Sequence, residues 1–419
     1  MAPSGEGVHT FVEVDAAGAQ KAAKASDDLR SANVVLSPLM GIPISVKDLF
    51  DVRGQVTRAG SVLLQSTQPA QQDAAIVAHL RKAGAIIIGR TNMTEFAYSG
   101  LGLNPHYGTP ASPYDRITRR IPGGSSSGAG VSVADQMAVV GMGTDTGGSV
   151  RIPAALCGIT GFKPTARRIS TAGVLPLSST YDSIGPLAPS VQCCITVDQI
   201  ISGASPTSIA PIPLRHLRFA VPKGIALERL DDYVSSDFSR ACKVLSEAGA
   251  LISEVTIESF EDPDRPPNGG RLLAAEAYAW HRKHLEQNHE TYDRRVSTRM
   301  MPAAQTTAAD YIDLLNWRRD FLTRVEKELA DFDVLLLPTT PMIAPPIADL
   351  VESDEAYFEA NVLMLRNTSI INQIDGCALS IPSHRAETPP TGLMVAGTSM
   401  QDKKILGIGL SVEQALRDA

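Results

Sequence analysis

Apolar and polar residues alternate along the first part of the chain in two distinct rhythms. In GIPISVKD, Ile42, Ile44 and Val46 fall on one face and Ser45 and Lys47 on the other, a period of two that predicts a strand. DAAIVAHLRKAG, Asp73 to Gly84, places its apolar residues at helical spacing and closes on a glycine, which predicts an amphipathic helix. The apolar AIIIG that follows predicts a strand buried on both faces. MAVVGMG (Met137 to Gly143), LRFAVP (Leu217 to Pro222) and ALISEV (Ala250 to Val255) read as further strands, with a helix around Asp237 to Ala248. ESFEDPDRPPNGG, Glu258 to Gly270, is dense in Pro, Asp and Gly and predicts a loop. The pattern is then helical to about Leu329, with Trp280 and Trp317 as packing residues. FDVLLLP, ALSIP and LMVAG return to the strand rhythm. The expected fold is α/β, one body over residues 1–419 with a helical insertion at about 258–330.

Composition narrows the picture. The 419 residues are 43% hydrophobic and 20% charged, enough for a sizeable core. A net charge of −7 without a basic run argues against nucleic acid as a partner. The five cysteines, Cys157, Cys193, Cys194, Cys242 and Cys377, include no CxxC spacing, so neither a disulfide framework nor a zinc site is indicated. Cys157 reads as a buried small hydrophobe. His281, His284 and His289 read as a solvated helix face rather than a metal site; no metal and no cofactor are expected. The N-terminal stretch lacks a charged segment followed by an apolar one, and no 18-residue apolar run occurs. The expectation is a cytoplasmic protein without a membrane partner.

Two glycine–serine knots carry the candidate chemistry. The first, IPGGSSSG, opens onto AGVSVAD, a plausible helix start; the second, GTDTGGSVR, follows an apolar strand, where α/β sites tend to lie. A phosphate cradle fails because no GxxxxGK[ST] occurs. Gly124 to Gly128 formally satisfies G-x-S-x-G with Ser126 at its centre, which would suit an α/β-hydrolase esterase. The segment before it, YDRITRRIPGG, is not strand-like, and only His384 is placed late enough to serve as base. A lysine can replace the histidine, but only when neutral. At the reference pKa roughly one lysine in two thousand is neutral at pH 7, and burial must lower the value by about three units. Lys47 is the candidate; its alternative reading is a strand-end surface charge beside Asp48.

Taken together, GIPISVKD, PGGSSSG and GTDTGGSVRIPAALCGITGFKPT resemble the amidase signature family of serine hydrolases. HLRKAGAIIIGRTNMTEFAYSG, NPHYGTP, STYDSIGPLA, DVLLLPTTP and NQIDGCALSIP follow in the family's order, so the resemblance runs from about Phe11 to near the C-terminus. It implies a large mixed β-sheet flanked by helices and a Ser–Ser–Lys triad. Ser149 would be the nucleophile, Ser125 the relay held on a cis peptide, and Lys47 the base. The backbone N–H groups of Thr146, Gly147, Gly148 and Ser149 would form the oxyanion hole. Asp145 would orient the loop, and Arg151 would meet a substrate carboxylate or serve as a structural ion pair. Tyr98, His106 and Tyr107 lie where relatives shape their pockets. The implied activity is hydrolysis of a small-molecule amide, ester or carbamate, with a homodimer as the expected assembly. The alternative is the glutaminase subunit of a tRNA-dependent amidotransferase. Two departures stand out: Ser127 replaces a glycine common in relatives, and Ser112 stands where asparagine is commoner. The first motif also lies close to the start of the sequence, so the family's usual N-terminal helices are expected to be curtailed, and the missing anchor argues against a fatty-acid amide hydrolase.

Overall fold

In the computed structural model, which describes residues 5–203, 207–262, 265–266 and 270–419, eleven strands form one continuous sheet. In chain order they are β1 (Phe11–Val14), β2 (Pro43–Lys47), β3 (Ile86–Thr91), β4 (Val140–Asp145), β5 (Thr160–Lys163) and β6 (Ser183–Ala188), then β7 (Arg218–Pro222), β8 (Leu251–Val255), β9 (Val334–Pro338), β10 (Cys377–Pro382) and β11 (Gly392–Gly397). Their order across the sheet is β1-β3-β2-β4-β6-β5-β10-β11-β9-β7-β8. The β2–β3, β2–β4, β7–β8 and β7–β9 pairs are parallel and the others antiparallel, so the sheet is mixed, as expected.

The two-residue period sorts side chains into separate cores. Along β9, Val334 and Leu336 join one apolar cluster, whereas Leu335 and Leu337 join another with Ile370 and Ile371 of the helix Asp354–Gln373. On β2, Ile44 and Val46 share a core with Ile76, Val77 and Leu80 of the helix Ala75–Lys82. Each such fully buried aliphatic side chain is worth roughly 1.5–3 kcal/mol against exposure. The opposite face of β2 is covered by the helix Ser127–Ala134, whose Ser132 hydroxyl lies 2.8 Å from that of Ser45. Lys47 therefore has no route to solvent along its strand.

The sequence pattern is met with small shifts. The strand expected at Met137 begins at Val140, after a turn in which the backbone N–H groups of Met137 and Ala138 both donate to Ser132 O. The helix expected around Asp237 starts a turn earlier, because the Asp231 carboxylate caps it by accepting from the Tyr233 N–H. Within the expected loop Glu258 to Gly270, Glu258–Phe260 forms a short 3-10 turn, while residues 263–264 and 267–269 lie outside the described residues.

The helical stretch consists of Gly270–Asn288, Arg294–Met300 and Ala308–Glu328, the last opened by a Thr307–Asp310 capping box. Trp317 stacks on Phe321, and Trp280 packs against Phe96. His281 corrects the reading of a solvated histidine face: it is fully buried, with its Nδ1 2.9 Å from the Tyr292 hydroxyl. Burial beside His284 pushes its pKa down to about 3, the behaviour of a neutral core histidine.

Candidate active site

The parallel pairing of β2 and β4 sets Val46 against Met142, so the next residues bring Lys47 beside Thr144 at the C-terminal ends of both strands. Lys47 Nζ donates to Thr144 Oγ1 at 2.9 Å and to Ser125 Oγ at 2.7 Å. Lys47 and Ser125 have no exposed surface. The surface-charge reading is thereby corrected. Asp48 is buried too, but its carboxylate turns to Arg90 Nε at 2.7 Å and to the Gly60 N–H at 3.1 Å, leaving Lys47 without a contacting anion among the described residues.

Ser125 follows a cis Gly124–Ser125 peptide, and its carbonyl accepts from the Thr94 N–H at 3.1 Å. The adjoining glycine is required by close approach, since a Cβ on Gly124 would stand 2.5 Å from the backbone nitrogen of Gly102. Ser126 then begins the helix Ser127–Ala134, and its N–H donates to the Ser149 carbonyl at 3.3 Å. That bond ties the first knot to the second. Ser126 Oγ points inward to the Thr144 carbonyl at 3.4 Å with no exposed surface, and His384 occupies a separate recess beside Asp237. That burial, and the separate recess that holds His384, speak against the α/β-hydrolase esterase alternative with a Ser126 nucleophile.

The second knot leaves β4 at Asp145 as an irregular turn. Gly148 has φ +141, and a Cβ there would collide with the Thr368 hydroxyl. Among the described residues, none accepts a hydrogen bond from the backbone N–H groups of Thr146, Gly147, Gly148 or Ser149. Four unengaged donors beside a cleft can converge on an anionic oxygen. Thr146 Oγ1 donates to Asp182 at 2.6 Å, and Thr368 Oγ1 donates to the Gly147 carbonyl at 2.6 Å, so both sides of the turn are fixed.

Arg151 settles as a structural ion pair. It is fully buried, its Nε and Nη2 reach the Asp145 carboxylate at 3.0 and 2.8 Å, and its other bonds go to Thr368 O, Met394 and Asn372. It cannot present donors to a ligand. Burial raises the Asp145 pKa, but the charge of Arg151 and its hydrogen bonds outweigh this and hold the carboxyl well below its usual range.

The charge state of Lys47 follows from its surroundings. Burial lowers its pKa to about 7, and the more distant carboxylates of Asp182 and Asp145 keep it from falling further. Asp182 is itself raised to about 6 by burial, opposed by the Thr146 hydroxyl and by the Leu177 and Ser178 backbone. Near neutrality the lysine is divided between its two forms, which is where a general base works best.

Ser149, Thr146 and Gly147 open onto a cleft of about 860 Å³ between the sheet and the helical insertion. Tyr98 lines it, as expected. His106 and Tyr107 do not. His106 Nε2 lies 2.9 Å from the buried Glu95 carboxylate, and the backbone N–H groups of both residues donate to Asn104, so they build the loop behind the cleft. Glu95 also accepts from the Asp293 N–H at 2.6 Å, tying that loop to the insertion. Sequence reasoning missed Asp182, which stood inside the quoted STYDSIGPLA string, and Thr144, whose position follows only from strand register.

A mixed sheet that brings a buried lysine, a serine hydrogen-bonded to it and a glycine-rich turn to one cleft defines an amidase-signature enzyme. The chain belongs to the amidase family, whose model matches residues 4–406. It is 36% identical over 408 residues to the 2-amino-5-chloromuconic acid deaminase of Comamonas testosteroni, covering 95% of this chain and 87% of the relative. It is 32% identical over 455 residues to a glutamyl-tRNA(Gln) amidotransferase subunit of Acidothermus cellulolyticus, covering 98% and 88%. A solved structure described as a crystal structure of amidase superposes with a TM-score of 0.86 at 32% identity, covering 96% of this chain and 91% of that one. Family members are hydrolases of C–N bonds. Among the described residues no helix is long and apolar enough to cross a membrane.

Proposed function

We propose that this protein hydrolyses a small carboxamide through an acyl-enzyme on Ser149, with Ser125 as proton relay and Lys47 as general base. The observation that carries the reading is the 2.7 Å contact of Lys47 Nζ with Ser125 Oγ in a site that holds the lysine near pKa 7. At that separation a neutral Nζ can accept a hydrogen bond from the Ser125 hydroxyl, where the charged form donates one. Ser149 Oγ attacks the carbonyl carbon, its proton passes to Ser125, and the Ser125 proton passes to Lys47. The oxyanion takes hydrogen bonds from the backbone of residues 146–149. When the C–N bond breaks, the proton on Lys47 returns through Ser125 to the leaving amine. Water then attacks the ester and the relay runs again, releasing the acid and freeing Ser149.

The test is a panel of carboxamides, esters and carbamates assayed with wild type, Ser149→Ala and Ser126→Ala. Ser149→Ala should lower kcat by at least ~10⁴-fold, as expected for loss of a nucleophile, while Ser126→Ala retains turnover. Turnover surviving in Ser149→Ala would overturn the assignment. The similarity to an amidotransferase subunit over nearly the whole chain favours a second reading, a glutaminase working within an assembly. Glutamine as the preferred substrate, together with co-purifying subunits, would select it.

A further inference from the structure

The cleft in front of Ser149 has an unusual charge. Its described lining includes three arginines, Arg265, Arg271 and Arg299, and no carboxylate, in a chain whose net charge is −7. Two of the three are accounted for. Arg265 donates from Nε to the Phe260 carbonyl at 3.0 Å and from Nη1 to Gln373 at 2.8 Å. Arg271 is mostly exposed and stands 4.0 Å from Asp310.

Arg299 differs. It sits in the last turn of Arg294–Met300, its Nε donating to the Arg295 carbonyl at 3.0 Å and its guanidinium lying 4.6 Å from the centroid of the Tyr98 ring. Nη2 is buried and, among the described residues, has no hydrogen-bond partner. One turn earlier, Arg295 is paired with Asp354 at 2.7 Å and stacks on Tyr357. Arg299 has the ring but, among the described residues, not the anion. A guanidinium lying over an aromatic face has less freedom to swing away, and a partly buried cation without a counter-charge gains when one arrives. Bidentate carboxylate recognition is the chemistry that edge fits best.

We propose that Arg299 holds a carboxylate of the substrate, so that the amide cleaved at Ser149 belongs to a molecule that also carries a free acid group. The inference rests on the amidase reading and adds the substrate class to it. Tyr98 holds the guanidinium at the cleft wall, and the apolar walls at Leu177, Leu273 and Phe358 accommodate the chain between acid and amide. A purely structural arginine, capping its helix and stacking on Tyr98, would leave the enzyme indifferent to substrate charge.

The experiment compares the monoamides of C4 to C6 dicarboxylic acids with primary amides of matched length that end in methyl. Wild type should favour the acids by about 10- to 100-fold in kcat/KM, the scale of a charge-assisted hydrogen bond, chiefly through KM. Arg299→Gln should lose most of that ratio and Arg299→Lys should retain part of it. Equal turnover of acid and methyl partners by wild type overturns the proposal, as does a ratio unchanged in Arg299→Gln. Should Arg299→Gln fail to fold, the wild-type ratio decides alone. For the case in which no panel member is cleaved, the C4 to C6 dicarboxylates are tested for slowing the reaction of Ser149 in wild type with a neutral fluorophosphonate. Protection by the dicarboxylates and not by the matched diamides supports the anchor, and equal protection or none rejects it. Failure of the amidase reading would show separately, as amide turnover that survives Ser149→Ala.

Discussion

At the scale of single residues, the proposed mechanism turns on Lys47. A lysine with no exposed surface and, among the described residues, no contacting anion is held near neutrality by lost hydration, and the opposing pull of Asp182 and Asp145 sets where it titrates. The proposed mechanism needs the neutral form, so kcat/KM should rise with pH through about 7, with an acid limb that belongs to Lys47. Asp182→Asn removes an anion that raises the lysine's pKa, so the limb should move to lower pH. A pH–rate profile of both enzymes checks this; a limb that stays in place or moves upward contradicts it. Much of the site was legible at this scale. Ser125, Ser149 and Lys47 stand in strings whose order alone points to the site, and the structure brings Lys47, Ser125 and the Ser149 turn together. What the string hides is pairing. Asp48 follows Lys47 yet belongs to Arg90. Asp182 lies 36 residues beyond Thr146, in no local pattern, and is joined to the turn through the Thr146 hydroxyl.

At the scale of elements, the two knots are separated by the helix Ser127–Ala134 and by β4, in line with the helix start at AGVSVAD and the strand at MAVVGMG. Four small residues in the helix, Ser127 to Gly130, let it lie close against neighbouring backbone, and they also weaken its periodic signal. The helical insertion was legible as helix, but its attachment was not. Glu276 of Gly270–Asn288 accepts from the hydroxyls of Ser178, Ser179 and Thr180, from the Thr180 N–H and from the Tyr311 hydroxyl. Burial raises its pKa, and these bonds overcome that and lower it. Glu276 thus clamps the segment that delivers Asp182 to Thr146. Glu276→Ala should cost ~1–3 kcal/mol in denaturant unfolding, the lower end reflecting its partial exposure. It should also lower kcat more than it raises KM, because the turn bearing the proposed oxyanion donors loosens. Unchanged kcat with lost stability would reduce the clamp to scaffolding.

For the molecule as a whole, the strands were legible as a set and their order was not. Period-two patterning and glycine stops locate β2, β3, β7, β9, β10 and β11, because burial on one or both faces is written into each segment, and they also locate the edge strand β8, whose Leu251, Ser253 and Glu254 are exposed. Adjacency is a long-range property: β5 joins β10 across more than two hundred residues, and nothing local announces it. That closure lets the helix Asp354–Gln373 bring Thr368 and Asn372 to the turn at Asp145, so the site is completed from the far end of the chain. The central claim is that Ser149 is the nucleophile of this assembly. The most direct measurement is reaction with a neutral fluorophosphonate followed by peptide mapping of the adduct. The expected result is one equivalent bound, located on Ser149, with labelling lost in Lys47→Ala; an adduct on Ser125 or Ser126, or labelling that survives unchanged in Ser149→Ala, would contradict the claim.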